Sequence, residues 1–131
     1  MGREGLAASG VLDAGALIAF ERGDQETRAI IRRIRDRGGI LIVPAPVLAQ
    51  VWRGGARQAR LAILVRAEDT LVEALDGEAA RAVGVLLGRS GTADVVDASV
   101  VLSAWRHKAP VLTSDPDDLR RIDPQLAIEA V

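Results

Sequence analysis

The chain has 131 residues, 49% of them hydrophobic, and no cysteine. That length suits one ordinary domain with its own core, and the missing thiols exclude disulfide frameworks, thiolate zinc sites and cysteine nucleophiles. With 17 basic and 18 acidic residues the net charge is −1, so any attraction for a polyanion must come from local clusters.

Met1–Gly10 carries Arg3 and Glu4 without a long apolar region and does not read as a signal peptide. No apolar run approaches the ~20 residues of a membrane span, so no membrane association is expected and the location expected is cytoplasmic. Gly10-Val11-Leu12 reads as a short buried strand ending at Asp13, followed by a helix over Ala14–Glu21. Gly23-Asp24 breaks the chain, and Asp24 can cap a helix over Gln25–Arg37 with Ile30, Ile31 and Ile34 on one face. Gly38-Gly39 stops it. Ile40–Val43 predicts a buried parallel strand, and Pro44 and Pro46 open a helix over Val47–Arg53. Gly54-Gly55 precedes a helix over Arg57–Arg66, and Thr70–Val72 is a third strand. Asp76 caps Gly77–Gly88. Thr92 is a suitable cap for a long helix over Ala93–His107. Pro110–Thr113 predicts a fourth strand, Asp115–Arg121 a short helix, and Leu126–Val131 a closing edge strand.

Strands alternating with helices over residues 1–131 predict a single domain, a three-layer α/β/α sandwich around a mainly parallel sheet. Aromatics are limited to Phe20, Trp52 and Trp105. The core is therefore expected from Ala, Val, Leu and Ile; Trp52 and Trp105 could stack bases, but as two of three aromatics they are expected in the core or a dimer interface.

In an open parallel sheet, functional groups gather beyond the carboxyl ends of the strands. Asp13 and Asp115 both follow apolar strands, where a helix N-cap would equally place an acid. Asp94 and Asp97 are spaced i and i+3 near a helix start, so they share a face and repel. The helix N-terminus offsets ~0.3–1 kcal/mol of that for each charge, and dipole complementarity is reason enough for Asp94. Asp97 borders an apolar helix face and calls for a partner. Asp13, Asp97 and Asp115 are expected at one edge of the sheet, with Asp94 as a further ligand. Oxygen-only donors favour Mg²⁺ or Mn²⁺ over zinc, and phosphodiester hydrolysis by metal-activated water suits such a site. Arginine clusters at Arg53–Arg66 and Arg28–Arg37 would draw phosphates towards it, although solvated helix faces also explain single arginines.

Val11-Leu12-Asp13-Ala14-Gly15-Ala16-Leu17-Ile18-Ala19 resembles the opening of PIN domains. Thr92-Ala93-Asp94-Val95-Val96-Asp97-Ala98 is similar to that family's third acidic motif, with Asp97 at the matching position. Val111-Leu112-Thr113-Ser114-Asp115-Pro116 is similar to its last motif, and the order is the same. Among small single-domain members the chain most resembles VapC-type toxins. The resemblance implies a Mg²⁺- or Mn²⁺-dependent endoribonuclease acting on RNA, the toxin of a toxin–antitoxin pair, forming a homodimer and inhibited by a cognate antitoxin. It also implies that the Thr113 hydroxyl supports the site near Asp115. The family's second acid falls in Pro46–Arg53, where this chain has Gln50. A neutral amide offers an oxygen without charge, which weakens metal binding unless Glu21, Asp117 or Asp118 compensates. It also opens the alternative of a module that binds RNA or an antitoxin without efficient turnover.

Other chemistries fit less well. The aspartyl-nucleophile phosphotransferases of the haloacid-dehalogenase type need a second Asp where this chain has Gly15. A receiver domain needs a late Lys after a strand, and Lys108 ends a helix. Phosphate-binding glycine loops are absent. His107 reads as a surface or C-terminal capping group.

Overall fold

Three apolar runs are buried along their whole length: β1 (Gly10–Leu12), β2 (Leu41–Pro44) and β4 (Val111–Thr113). Strands covered on both faces carry no polar alternation. The outer strands β3 (Thr70–Glu73) and β5 (Ile128–Ala130) are half-buried or exposed, as edges are. All five pair in parallel in the order β3-β2-β1-β4-β5. This computed structural model describes residues 9–131, and the segment weighed above as a leader lies, up to Ala8, outside the described residues.

The helices are α1 (Ala14–Glu21), α2 (Gln25–Asp36), α3 (Ala45–Val51), α4 (Ala59–Arg66), α5 (Gly77–Ser90), α6 (Val95–His107) and α7 (Pro116–Arg120), with a 3₁₀ turn at Ala56–Gln58 before α4. Helix α2 follows from local rules. The Asp24 carboxylate accepts from the Thr27 N–H at 2.9 Å and the Thr27 hydroxyl at 2.7 Å, which caps the helix. Ile30, Ile31 and Ile34 are buried. Helix α6 packs across β1, β2 and β4 with α5 against it, while α1 packs on β1 and β4, α2 on β2 and α4 on β3. The result is the expected three-layer α/β/α architecture, with every strand pair parallel.

Three local expectations need correction. Helix α6 starts at Val95, and Asp94 is its cap in place of Thr92; both side chains can cap, and the longer reach of Asp wins contact with the Asp97 N–H. Pro44 is the last residue of β2, so α3 begins at Ala45 with Pro46 in its first turn and ends before Trp52. The two tryptophans are not core residues: Trp52 and Trp105 are 36% and 47% exposed, and the aliphatic side chains close the core without them.

The order of strands matters for function. From β1 the chain first builds outward through β2 to β3, then crosses back and continues from β4 to β5. The reversal falls between β1 and β4, which lie side by side with Val11 opposite Val111 and Leu12 opposite Leu112. Such a switch point leaves a crevice at the carboxyl ends of the strands. Because Leu12 is fully buried beside it, Leu12→Ala should destabilise the protein by about 3 kcal/mol in urea unfolding. Leu71→Ala, on the exposed face of an edge strand, should cost under ~1 kcal/mol.

Candidate metal centre

Asp13 leaves β1 directly at the crevice and caps α1, accepting from the Ala16 N–H at 2.9 Å. Asp115 leaves β4 beside it. Thr113, fully buried at the end of β4, accepts from the Asp115 N–H at 2.9 Å, and its hydroxyl lies near enough to Asp13 to favour that carboxylate's charged form. One hydroxyl thus serves both strand ends. Gly15 completes the junction: a Cβ there would overlap the Ser114 hydroxyl, so the glycine lets the first turn of α1 approach the end of β4.

The third segment is the start of α6. The Asp94 carboxylate accepts from the Asp97 N–H at 2.9 Å through one oxygen. Asp97, in the first turn, is half-buried, and its pKa is pushed up to about 6. Burial is the largest cause, followed by repulsion from Asp94, Asp118, Asp13 and Asp115. Five carboxylates from three segments therefore act on one another at the same rim. Asp13 is also raised, chiefly by burial, with Thr113 and the Ala16 N–H opposing and Asp115 adding to the rise. Asp115 is raised by a hydrogen bond to Asp118 and by burial and repulsion from Asp118 and Asp117.

The sequence offers Asp118 only as a substitute for a missing acid, yet it reaches both Asp97 and Asp115. Its signal is the spacing Asp115-Pro116-Asp117-Asp118, which puts Asp118 one helical turn beyond the strand end. A cleft of about 330 Å³ opens beside these groups, lined by Thr92, Asp94, Asp97, Asp118, Arg121 and Ile122 among others. Arg121 stands 3.7 Å from Asp118 and brings a positive charge to this rim.

Other residues fall elsewhere. Gln50 is exposed on α3, a helix that touches both α1 and α6; among the described residues its side chain makes no hydrogen bond to the acids. Glu21, at the far end of α1, faces the Gln58 amide at 3.4 Å. His107 meets Glu73 at 2.7 Å, and Ser103 also donates to Glu73. That trio ties the C-terminal half of α6 to edge strand β3 and stands apart from the acidic rim.

The sequence profile of the PIN domain matches residues 10–124. The chain belongs to the PIN domain family. No curated protein matches it. PIN domains are generally metal-dependent nucleases acting on RNA or DNA, and their usual cofactors are divalent cations such as Mg²⁺. The donor chemistry of this PIN domain fits such an ion. Its carboxylates are hard oxygen donors, Arg121 meets only Asp118 among them within the described residues, and a cation would relieve their mutual repulsion. Among the described residues no three Asp, Glu or His groups already stand close enough to hold one ion, so binding would draw the carboxylates inward. Among those residues, too, no helix is long and apolar enough to cross a membrane.

The raised pKa of Asp97 has a measurable consequence. A folded-state value of about 6 against an ordinary 3.8 means the folded chain holds this proton more tightly. The associated stability is complete below about pH 3.8 and is lost as pH rises through about 6. Ionised Asp97 therefore destabilises the metal-free protein at neutral pH, by about 1 kcal/mol after allowing for solvent screening. In EDTA at about pH 7.5, Asp97→Asn should raise the melting temperature by a few degrees, with the gain vanishing near pH 4. An equal gain at both pH values would contradict this origin.

Proposed function

We propose that this PIN domain is a Mg²⁺- or Mn²⁺-dependent endoribonuclease whose metal ligands are Asp13, Asp97 and Asp115, with Asp94 contributing. The observation that carries the reading is Asp97, half-buried within the field of four other aspartates at the crevice between β1 and β4. Bound there, a divalent cation supplies activation of water and neutralises charge developing on the phosphate oxygens. The chain's own residues hold the arrangement. Asp13 is oriented by the Ala16 N–H, which one of its carboxylate oxygens accepts. Thr113 sets the course of the chain into Asp115. Asp94 holds the first turn of α6 and with it Asp97. Gln50 supplies a neutral amide oxygen where a family carboxylate is expected, and Asp118 supplies negative charge in its place.

Within this reading the whole chain acts as one domain in the cytoplasm, as the toxin of a type II toxin–antitoxin pair. It works as a homodimer held in check by its antitoxin. The small PIN scaffold and the resemblance of its three acidic motifs to VapC-type toxins support that role. Gln50 favours one alternative, a weakened PIN module that binds RNA or an antitoxin without efficient turnover.

Incubation of RNA with the protein and Mg²⁺ or Mn²⁺ tests both. The nuclease reading predicts cleavage that EDTA stops and that Asp13→Asn or Asp97→Asn lowers by roughly 100-fold or more, with both variants folded. Normal cleavage by Asp13→Asn would misplace the site. Gln50→Glu should reduce the metal concentration needed for half-maximal cleavage. An unchanged metal dependence would remove Gln50 from the site, and RNA binding without cleavage at any metal concentration would favour the module.

A further inference from the structure

Beyond the acidic rim, the molecule carries a second unusual charge distribution, at the opposite end of α1. Arg22 caps that end of the helix, Arg28 lies early in α2, Arg53 follows α3, Arg57 sits in the 3₁₀ turn and Arg60 in the first turn of α4. All five are exposed, and none forms an ion pair with a carboxylate among the described residues. Two of them converge. A Cβ on Gly23 would lie 3.0 Å from a guanidinium nitrogen of Arg60 and 4.0 Å from one of Arg28. Two like charges flanking one point, with Glu21, the helix cap Asp24 and Glu26 of the first turn of α2 as the nearby acids in sequence, repel unless an anion comes between them.

The loop that bears Trp52 and Arg53 is held in place from below. The buried Gln58 accepts at its Oε1 from the Arg53 N–H at 2.8 Å and the Gly54 N–H at 2.9 Å, and its amide nitrogen donates to the Val51 carbonyl at 2.9 Å. Arg60 donates to the Glu21 carbonyl at 3.2 Å, fastening α4 to the end of α1. A clamp of this kind holds the surface loop in one conformation. The Arg53 guanidinium donates to the Trp52 carbonyl at 2.7 Å, so the loop presents Trp52 beside guanidiniums held by backbone carbonyls and, among the described residues, without a carboxylate partner. A planar face set among cations suits stacked bases on a phosphate backbone better than it suits a protein partner.

We propose that this face, Trp52 with Arg28, Arg53, Arg57 and Arg60, is the track on which single-stranded RNA lies as it leads into the acidic crevice. The proposal deepens the nuclease reading and rests on it for the identity of the polyanion. Helix α1 joins the two places: its eight residues span about 12 Å at 1.5 Å each, or roughly three to four stacked nucleotides at ~3.4 Å. Anchoring the strand there brings the polyanion near a cluster of carboxylates that would otherwise repel it.

The test is RNA binding in EDTA, where cleavage plays no part, read by fluorescence anisotropy of labelled single-stranded RNA over a salt series. Arg28→Ala and Arg57→Ala should each weaken binding several-fold and lower the slope of log affinity against log salt by roughly 0.7. Trp52→Ala should weaken it by roughly ten-fold. Arg89→Ala, an exposed arginine on α5, should leave both quantities unchanged, and thermal melts should show all four variants folded. The proposal is overturned if wild type does not bind, if the three face variants bind as wild type does, or if Arg89→Ala is equally damaging. Polyglutamate bound as tightly as RNA and indifferent to Trp52→Ala would assign the face to an acidic protein and also overturn it. Loss of binding in the face variants alongside no cleavage by wild type in Mg²⁺ or Mn²⁺ would leave the track standing and remove the nuclease reading. Cleavage by wild type with unaffected face variants would do the reverse.

Discussion

The side-by-side pairing of β1 and β4 is the constraint on which the rest depends. Val11, Leu12, Val111 and Leu112 are buried almost completely, and each aliphatic side chain removed from water contributes about 1.5–3 kcal/mol. That apolar contact sets Asp13 and Asp115 down beside one another, where their charges alone would drive them apart. Helix α6, packed across the same strands, brings Asp94 and Asp97 to the same rim. Hydrophobic burial outweighs the repulsion, so the acids stay together and the electrostatic strain appears in their proton affinities instead.

That strain is graded by local chemistry. Asp13 has the Thr113 hydroxyl and backbone N–H groups to stabilise its charge, which oppose its burial. Asp97 has burial and four like charges acting on it in the same direction, and its pKa climbs to about 6. A cation entering the cleft would meet its strongest need at Asp97, which lines it together with Asp94 and Asp118. The arginine face at the other end of α1 complements this. It concentrates positive charge on a loop fixed by Gln58, while the acidic rim remains negative. Separating the two by one short helix keeps them from neutralising each other through direct ion pairs.

Much of the scaffold is legible in the sequence because its strands are short, wholly apolar runs bounded by Gly, Pro or Asp. Helix α1 is readable to the residue, and Asp24 and Asp76 are readable as caps. The errors come where two side chains compete for one task. Thr92 and Asp94 can both cap α6, and only the folded backbone decides between them. The segment from Arg57 divides into a 3₁₀ turn and α4 because the Gln58 side chain serves the preceding loop, a long-range role that periodicity does not reveal. The positions of Asp13, Asp97 and Asp115 can be anticipated from acids that end or border apolar runs. The reach of Asp118 cannot, since it depends on how α7 turns back from β4. Scarce aromatics suggest tryptophans in the core or a dimer interface, but Val, Leu and Ile already fill the interior and leave both partly exposed.

Membership of the PIN family and the crowding of acids at the switch point lead to the same claim, that these carboxylates stay close in order to share a divalent cation. Carbon-13 NMR titration of the Asp97 carboxyl, without metal and with saturating Mg²⁺, tests it directly. A shared cation predicts a midpoint near pH 6 in EDTA that falls below the ordinary carboxylate value when Mg²⁺ is present. A midpoint near the ordinary 3.8 in EDTA, or one that Mg²⁺ leaves unmoved, would contradict it.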